Sequence, residues 1–352
     1  MILGHILVIR PGALGDSMLT LSVLSALYRV RCGYMTVLGT PASFEFLRSD
    51  NDVAEIRDFS SSGWLGLFAE DALLSVIPTR ILKRTNTAIV YLNGDTDAIA
   101  NRLASFGVER TLFIAPPKAS ELDLSRTGDS DSCRHISWRE LGPLHAARQL
   151  LDPLASLVSA SFRREALNPA IFKHLGWLYP TDNEVDAARR FLDPQKCDAR
   201  KYFAIHPGSG GRKKCWPAVR FAELAARIAR EMDCEPLVFF GPADDQVHRE
   251  FEAAMPPDVI WRAIAHRPLR EVLALLHSCA FFVGNDSGMS HLAARAVPTL
   301  AIFGPTNPDV WAPIGENVSV VTAANRDLNL LAVETVLNAV LNLKPDKSRA
   351  RK

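Results

Sequence analysis

Three stretches of this chain combine a strand-like apolar run, a turn of small residues and a polar side chain at the start of a helix. In FFVGNDSGMSHLAARAVPTLAIFG, residues 281–304, the polar set is Asp286, Ser287, Gly288 and His291. Free backbone N–H groups and the positive end of a helix dipole favour an anion at such a place. A carboxylate beside a phosphate is repulsive, so Asp286 asks for a ligand that also brings donors, such as sugar hydroxyls. A sugar nucleotide has both parts. Ser287 and the N–H groups would hold phosphate, Asp286 would accept from the sugar, and His291 shares a helix face with Ser287. The plainer reading is a structural helix capped by Asp286 or Ser287, with Gly288 permitting a tight entry.

The second stretch, YFAIHPGSGGRKKCWPAVRFAELAARIAREM, places Arg212, Lys213 and Lys214 beside Gly208, Ser209, Gly210 and Gly211. Solvated loop cations are common, but three of them at a flexible helix entry suit the charge that grows on a diphosphate leaving group. His206 reads as a strand-end histidine satisfied by backbone. The third stretch, HILVIRPGALGDSMLTLSVLSALYRV, sets Asp16 after Gly12 and Gly15. Asp16 is either an N-cap for a helix over 17–30 or a general base that takes the proton of an attacking hydroxyl. Asp244 and Asp245 follow the run PLVFFGP, where a carboxylate binds ribose hydroxyls or caps a helix. Asp244 is the candidate contact, and Asp245 is as well placed by spacing.

These residues need elements that bring strand ends together. Apolar runs alternate with amphipathic helical patterns through both halves: HILVIR, YMTVLG, TAIVYLN and TLFIA first, then YFAIHPG, PLVFFGP, VIWRAI, AFFVGN, TLAIFGP and VSVVTA. This rhythm predicts α/β architecture with doubly wound parallel sheets, whose ligands bind at strand C-terminal ends. Two similar halves facing across a cleft follow. The expected domains are residues 1–165, a linker over 166–183, residues 184–327, a helix within 328–343 and a basic tail over 344–352. Residues 116–138 break the rhythm with Pro, Ser, Asp and Arg and read as a long loop, followed by helix over 139–158.

Composition narrows the classes further. With 352 residues, 48% of them hydrophobic, the chain has room for about two α/β domains. A net charge of +1 argues against a general nucleic-acid binder. The six cysteines form no CxxC pair and no Cys/His cluster of metal-ligand spacing, which fits a reducing cytoplasm. No run approaches the roughly 20 apolar residues of a membrane span, and no export leader precedes the first strand. A soluble protein in peripheral contact with the membrane at most is expected, with the basic tail as one candidate contact.

Taken in order, RPGALGDSMLTLSVLSAL, AIHPGSGGRKKCWPAVRFAELA and VGNDSGMSHLAARAVPTLAIFGPTNPDVWAPIG resemble glycosyltransferase family 9, the ADP-heptose:lipopolysaccharide heptosyltransferases. The likeness runs from about residue 5 to 342, leaving out the 116–138 loop and the tail. It implies a GT-B fold of two Rossmann-like domains and an inverting transfer of heptose from ADP-heptose to a lipopolysaccharide inner-core or related glycolipid acceptor. It also implies a monomer without a required metal. Asp16 matches the family's catalytic base and Lys214 its phosphate-binding lysine. Asp286, Ser287, Gly288, His291 and Thr306 of FGPTNPDVW match the donor side, while one extra residue between His206 and Trp216 loosens the match at Ser209. Two alternatives stand beside this reading: a nucleotide-sugar epimerase of similar fold, and an inactive relative that binds nucleotide sugar.

Overall fold

Continuous apolar runs, unlike alternating ones, mark strands buried on both faces. HILVI forms such a strand, β1 (His5–Ile9), buried at every position in the computed structural model. Residues 4–30, 34–47, 54–68, 73–94, 96–117, 130–175, 177–192 and 202–343 are described. The chain divides into two units: Met1–Lys118 with Ala146–Leu167, and Ala119–His145 with Asn168–Lys352.

In the first unit β1 leads to α1 (Leu14–Arg29), β2 (Tyr34–Gly39), β3 (Ala54–Asp58), α2 (Val76–Arg84), β4 (Thr85–Val90), α3 (Asp97–Ser105) and β5 (Arg110–Phe113). The strands form one parallel sheet in the order β3-β2-β1-β4-β5. Strand order reverses between β1 and β4, so the loops leaving these neighbours diverge and open a crevice at their C-terminal ends. Arg10 and Tyr91 are the first residues beyond the two strands.

The chain then enters β6 (Ser132–Ile136) of the second unit and returns to the first for α4 (Ala146–Leu151) and α5 (Ala160–Glu165). Amphipathic spacing predicts an α1 with a solvated side, yet every residue from Ser17 to Leu27 is buried. The reason is coverage: α4, α5 and a 3-10 helix over Pro41–Leu47 pack on the side away from the sheet.

The second unit continues with α6 (Ala170–His174), α7 (Asp182–Leu192), β7 (Tyr202–His206), α8 (Ala218–Met232), β8 (Glu235–Phe240), α9 (Asp245–Ala254), β9 (Arg262–Ala265), α10 (Leu269–His277), β10 (Phe282–Asn285), α11 (Gly288–Ala293), β11 (Thr299–Phe303), α12 (Pro308–Trp311), β12 (Val318–Thr322) and α13 (Val333–Leu341). Its sheet runs β6-β12-β11-β10-β7-β8-β9, parallel except for β6. Here order reverses between β7 and β10. The loops after these two strands therefore part in the same way as those after β1 and β4. Phe203, Trp216, Phe221, Phe251, Val283 and Ile302 belong to the core that fixes β7, α8 and β10 to one another.

Several stretches differ from the sequence expectation. Ser132–Ile136, inside the expected loop, pairs antiparallel with β12 and covers the sheet edge. Only Ile136 of the strand is buried, so its sequence carries no apolar alternation to announce it. Most of that loop, residues 118–129, and the tail over 344–352 lie outside the described residues. The stretch read as a linker holds α6 and the start of α7, because Phe172, Trp177 and Leu178 between its prolines are buried. The helix expected over 139–158 is broken by Gly142, Pro143 and Pro153 into α4 and flanking 3-10 turns.

Candidate functional site

In the second unit, three of the candidate residues converge on a fourth, Asp286, the first residue beyond β10. The Lys214 ammonium donates to Asp286 Oδ2 at 2.8 Å, and the Thr306 hydroxyl donates to the same oxygen at 2.7 Å. The Ser209 hydroxyl donates to the Asp286 backbone carbonyl at 2.9 Å. Both side-chain bonds land on Oδ2, and among the described residues Oδ1 accepts from none. Ser287, the N-cap of α11, has a buried hydroxyl oxygen without a partner. The set offers a cation, an unused hydroxyl and a free carboxylate oxygen within one loop cluster. Because α11 has six residues, its dipole is small, and local N–H groups with Lys214 carry most of the attraction for an anion.

Arg212 and Lys213 do not share this position. Arg212 turns to Gln246 and Glu250 on α9, and Lys213 is exposed. His291 is 6% exposed, and burial pushes its imidazole down to about 4, with Asp286 opposing and His145, Arg295 and Lys214 assisting. The ring is neutral at pH 7.

Beneath the cluster lies a support that sequence reasoning did not find. Asn285, fully buried at the end of β10, donates from Nδ2 to the carbonyls of Pro207 at 2.8 Å and Gly208 at 3.2 Å, and accepts from the Trp216 N–H at 2.9 Å. One carboxamide thus holds both the entry and the exit of the loop that carries Ser209 and Lys214. The sequence signal available was a polar residue ending an otherwise apolar strand.

Asp244 stands apart from Asp286, in a second latch on the same loop. Its Oδ2 accepts from the Gly241 N–H at 2.6 Å, and a Cβ on Gly208 would fall 2.1 Å from Oδ1, so only glycine lets the loop lie against this carboxylate. His206 Nδ1 is 2.9 Å from the Gly208 carbonyl, which can only accept, so Nδ1 carries the proton. Its Nε2 then faces Asp244 Oδ2 at 3.4 Å. Burial lowers His206 to about 4 and raises the Asp244 carboxyl. The buried ring is neutral at pH 7, and burial favours the protonated form of the carboxyl it faces. Asp245, by contrast, has a side chain 72% exposed.

The first unit holds Asp16 in its own arrangement. Arg10 Nη2 donates to Asp16 Oδ1 at 2.6 Å, and the Ala13 N–H donates to Oδ2 at 3.1 Å, as the acid of a capping box does from the first turn. A Cβ on Gly12 would stand 2.6 Å from Oδ2, so the turn closes tightly over the carboxylate. The helix begins at Leu14, which makes Asp16 a first-turn residue and not the N-cap. Arg10 is 4% exposed and lies over the Tyr91 ring, whose hydroxyl donates to the Leu150 carbonyl at 3.0 Å. Burial lowers the Arg10 guanidinium and raises the Tyr91 phenol. Arg10 and Tyr91 also escaped the sequence reading. Among the described residues, no three His, Cys, Asp or Glu side chains are placed to share a metal ion, and no helix is long and apolar enough to cross a membrane.

Two measurements check these contacts. Replacing Asn285 by Ala strands two carbonyls and an amide, a loss of about 1–3 kcal/mol for each group left dry; amide exchange at Trp216 should quicken, and an unchanged rate would remove the clamp. His206 and His291 stay neutral when folded down to about 4, whereas unfolded imidazoles charge near 6.5. The unfolded chain therefore binds more protons between those values, and stability falls as pH drops from 6.5 toward 4, by at most about 1.4 kcal/mol per unit and imidazole. Thermal melts at pH 7.5 and 5.0 should show a smaller fall for His291→Gln than for the unaltered chain; equal falls would refute the assignment.

Comparison with known proteins shows what this arrangement is similar to. Residues 173–338 match the pattern of glycosyltransferase family 9 (heptosyltransferase). Lipopolysaccharide heptosyltransferase 2 of Salmonella typhimurium is 34% identical over 128 residues, covering 35% of this chain and 36% of that protein. The chain thus spans little more than a third of this relative's length. A family 9 glycosyl transferase from Veillonella parvula has a TM-score of 0.71 at 17% identity over 97% of both chains. The Escherichia coli ADP-heptose LPS heptosyltransferase II gives 0.65 at 20% identity, over 96% of this chain and 97% of that one. At these identities the solved structures speak for the fold, an α/β GT-B fold as the sequence leads one to expect. Lys214, Asp286 and Thr306 all lie inside the matched segment, so the part of the chain that carries this cluster is the part similar to glycosyltransferase family 9.

Proposed function

We propose that the chain is an inverting glycosyltransferase that moves a heptose from ADP-heptose to a lipopolysaccharide inner-core or related glycolipid acceptor, without a required metal. The observation that carries this is the second unit's cluster: Lys214 and Thr306 share Oδ2 of Asp286, and Oδ1 is left open, at the switch point between β7 and β10. A diphosphate and a polyol are the two chemistries such a set can meet together. The relatives named as heptosyltransferases support the choice of sugar, and the E. coli protein's name supports ADP as the carrier.

In this reading the acceptor hydroxyl oxygen attacks the anomeric carbon opposite the diphosphate, and Asp16 takes the hydroxyl proton. The bond from the anomeric carbon to the phosphate oxygen breaks, its electron pair leaves with ADP, and the configuration inverts. Charge growing on the diphosphate is met by Lys214, by the unpartnered Ser287 hydroxyl and by N–H groups from Gly288 onward. Ser209 keeps the loop beside Asp286, where its hydroxyl can turn to a phosphate oxygen. Asp286 Oδ1 accepts from a sugar hydroxyl, with Thr306 and the neutral His291 beside it and Asp244 on the ribose side of the loop. Lys214 supplies the positive charge that a metal supplies in other transferases. The enzyme would act as a monomer in the cytoplasm.

Calorimetric titration with ADP, UDP and GDP, with and without EDTA, tests the donor reading. ADP should bind in preference and regardless of EDTA; preference for another base, or no binding, would overturn it. Lys214→Ala should weaken ADP by about tenfold, roughly 1.4 kcal/mol, and an unaltered affinity would end its phosphate role. Asp16→Asn should leave ADP binding nearly unchanged while turnover with ADP-heptose falls by about 100-fold or more. Undiminished turnover would remove Asp16 from the mechanism.

A further inference from the structure

Single exposed aliphatic side chains are ordinary on a protein surface. The first unit instead presents four on two adjoining segments. Leu65, on a 3-10 helix over Ser62–Leu67, is 59% exposed, Leu73 is 90% exposed, and Val76 and Ile77, in the first turn of α2, are 71% and 50% exposed. The segments are stapled together: the Ser75 N–H donates to the Gly63 carbonyl at 3.3 Å, and a Cβ on Gly63 would stand 2.6 Å from Ser75 Oγ. The unit's core already takes the other side of both segments, through Trp64, Leu67, Ile81 and Leu82. The four outward residues are therefore not needed to hold the unit together.

Helical spacing carries the outer face of α2 on from Val76 and Ile77 to Arg80, Lys83 and Arg84, all exposed. The face is thus apolar over its first turn and basic over its last. The described residues between 61 and 84 include no carboxylate; Glu70 and Asp71 lie outside the described residues.

We propose that this face docks on an anionic lipid bilayer. Leu65, Leu73, Val76 and Ile77 enter the interfacial layer, and the long side chains of Arg80, Lys83 and Arg84 reach the lipid phosphates. A bilayer surface offers hydrocarbon and negative charge side by side, which is the order of chemistry along α2. A second copy of the chain fits less well, because pairing two such faces brings Arg80, Lys83 and Arg84 of both copies together. One short element with three cations gives reversible attachment.

The test is co-sedimentation of the full chain with vesicles of phosphatidylethanolamine and phosphatidylglycerol, set against vesicles of phosphatidylcholine alone. The unaltered protein should bind the anionic vesicles, release with added salt, and leave the neutral ones in the supernatant. The double variant Val76→Glu, Ile77→Glu should lose at least about tenfold in vesicle affinity while keeping its Tm and its ADP affinity. Binding by the variant equal to the unaltered chain would overturn the proposal, as would the absence of vesicle binding by the unaltered chain. A dimer in sedimentation equilibrium that the variant abolishes, without vesicle binding, would assign the face to a second copy instead. Failure here leaves the donor reading untouched, because ADP titration reads the second unit alone.

Discussion

A carboxamide sealed in a protein interior must find partners for its acceptor and its donors, and Asn285 finds all of them on one loop. Because Asn285 ends β10, which is paired with β7 on one side and β11 on the other, the loop takes its position from the middle of the sheet. The next residue is Asp286. The backbone step that sets the clamp therefore also sets the carboxylate to which Lys214 and Thr306 bind, and neither contact depends on a mobile side chain finding its partner unaided. Asp244 and His206 add a second restraint where Gly208 passes over them.

Both units place an ion pair beside the crevice strand of their sheet, but they expose opposite members of it. In the first unit the cation is hidden, with the Arg10 side chain 5% exposed against 35% for Asp16. In the second the acid is hidden, with Asp286 at 7% against 38% for Lys214. The reachable group is a carboxylate in one unit and an ammonium in the other. A neutral hydroxyl that must lose a proton suits the first, and a polyanion suits the second. The same strand-loop-helix arrangement thus exposes opposite charges by inverting which partner is buried.

Much of this was legible in the sequence, and the part that was not has a common cause. Apolar runs located every sheet strand except β3 and β6, because parallel strands are buried on both faces and need no alternation. Asp16, Lys214, Ser209 and Asp286 stood out as candidates by their positions after strands, which topology brings to sheet ends, and Thr306 through the family resemblance. Side-chain direction was not: Lys213 and Lys214 are adjacent in sequence, and only the fold decides that Lys214 faces Asp286. Asn285 and Arg10 escaped because their value lies in partners distant in sequence. α1 read as amphipathic because nothing local tells that α4 and α5 will cover its outer side. β6 stayed hidden because an edge strand with one buried residue has a loop's composition.

That edge strand has a consequence for how the molecule can be made and divided. The chain leaves the first unit to lay down β6, comes back for α4 and α5, and only afterwards supplies the other strands of the second sheet. During synthesis β6 therefore waits for β12, the last strand to emerge, with Val318 standing 182 positions after its partner Ile136. No single cut frees the second unit whole. A fragment beginning after Leu167 would carry β12 with an unpaired parallel edge, a template for intermolecular strand addition, so the segment most loop-like in sequence is what protects that half of the protein from aggregation.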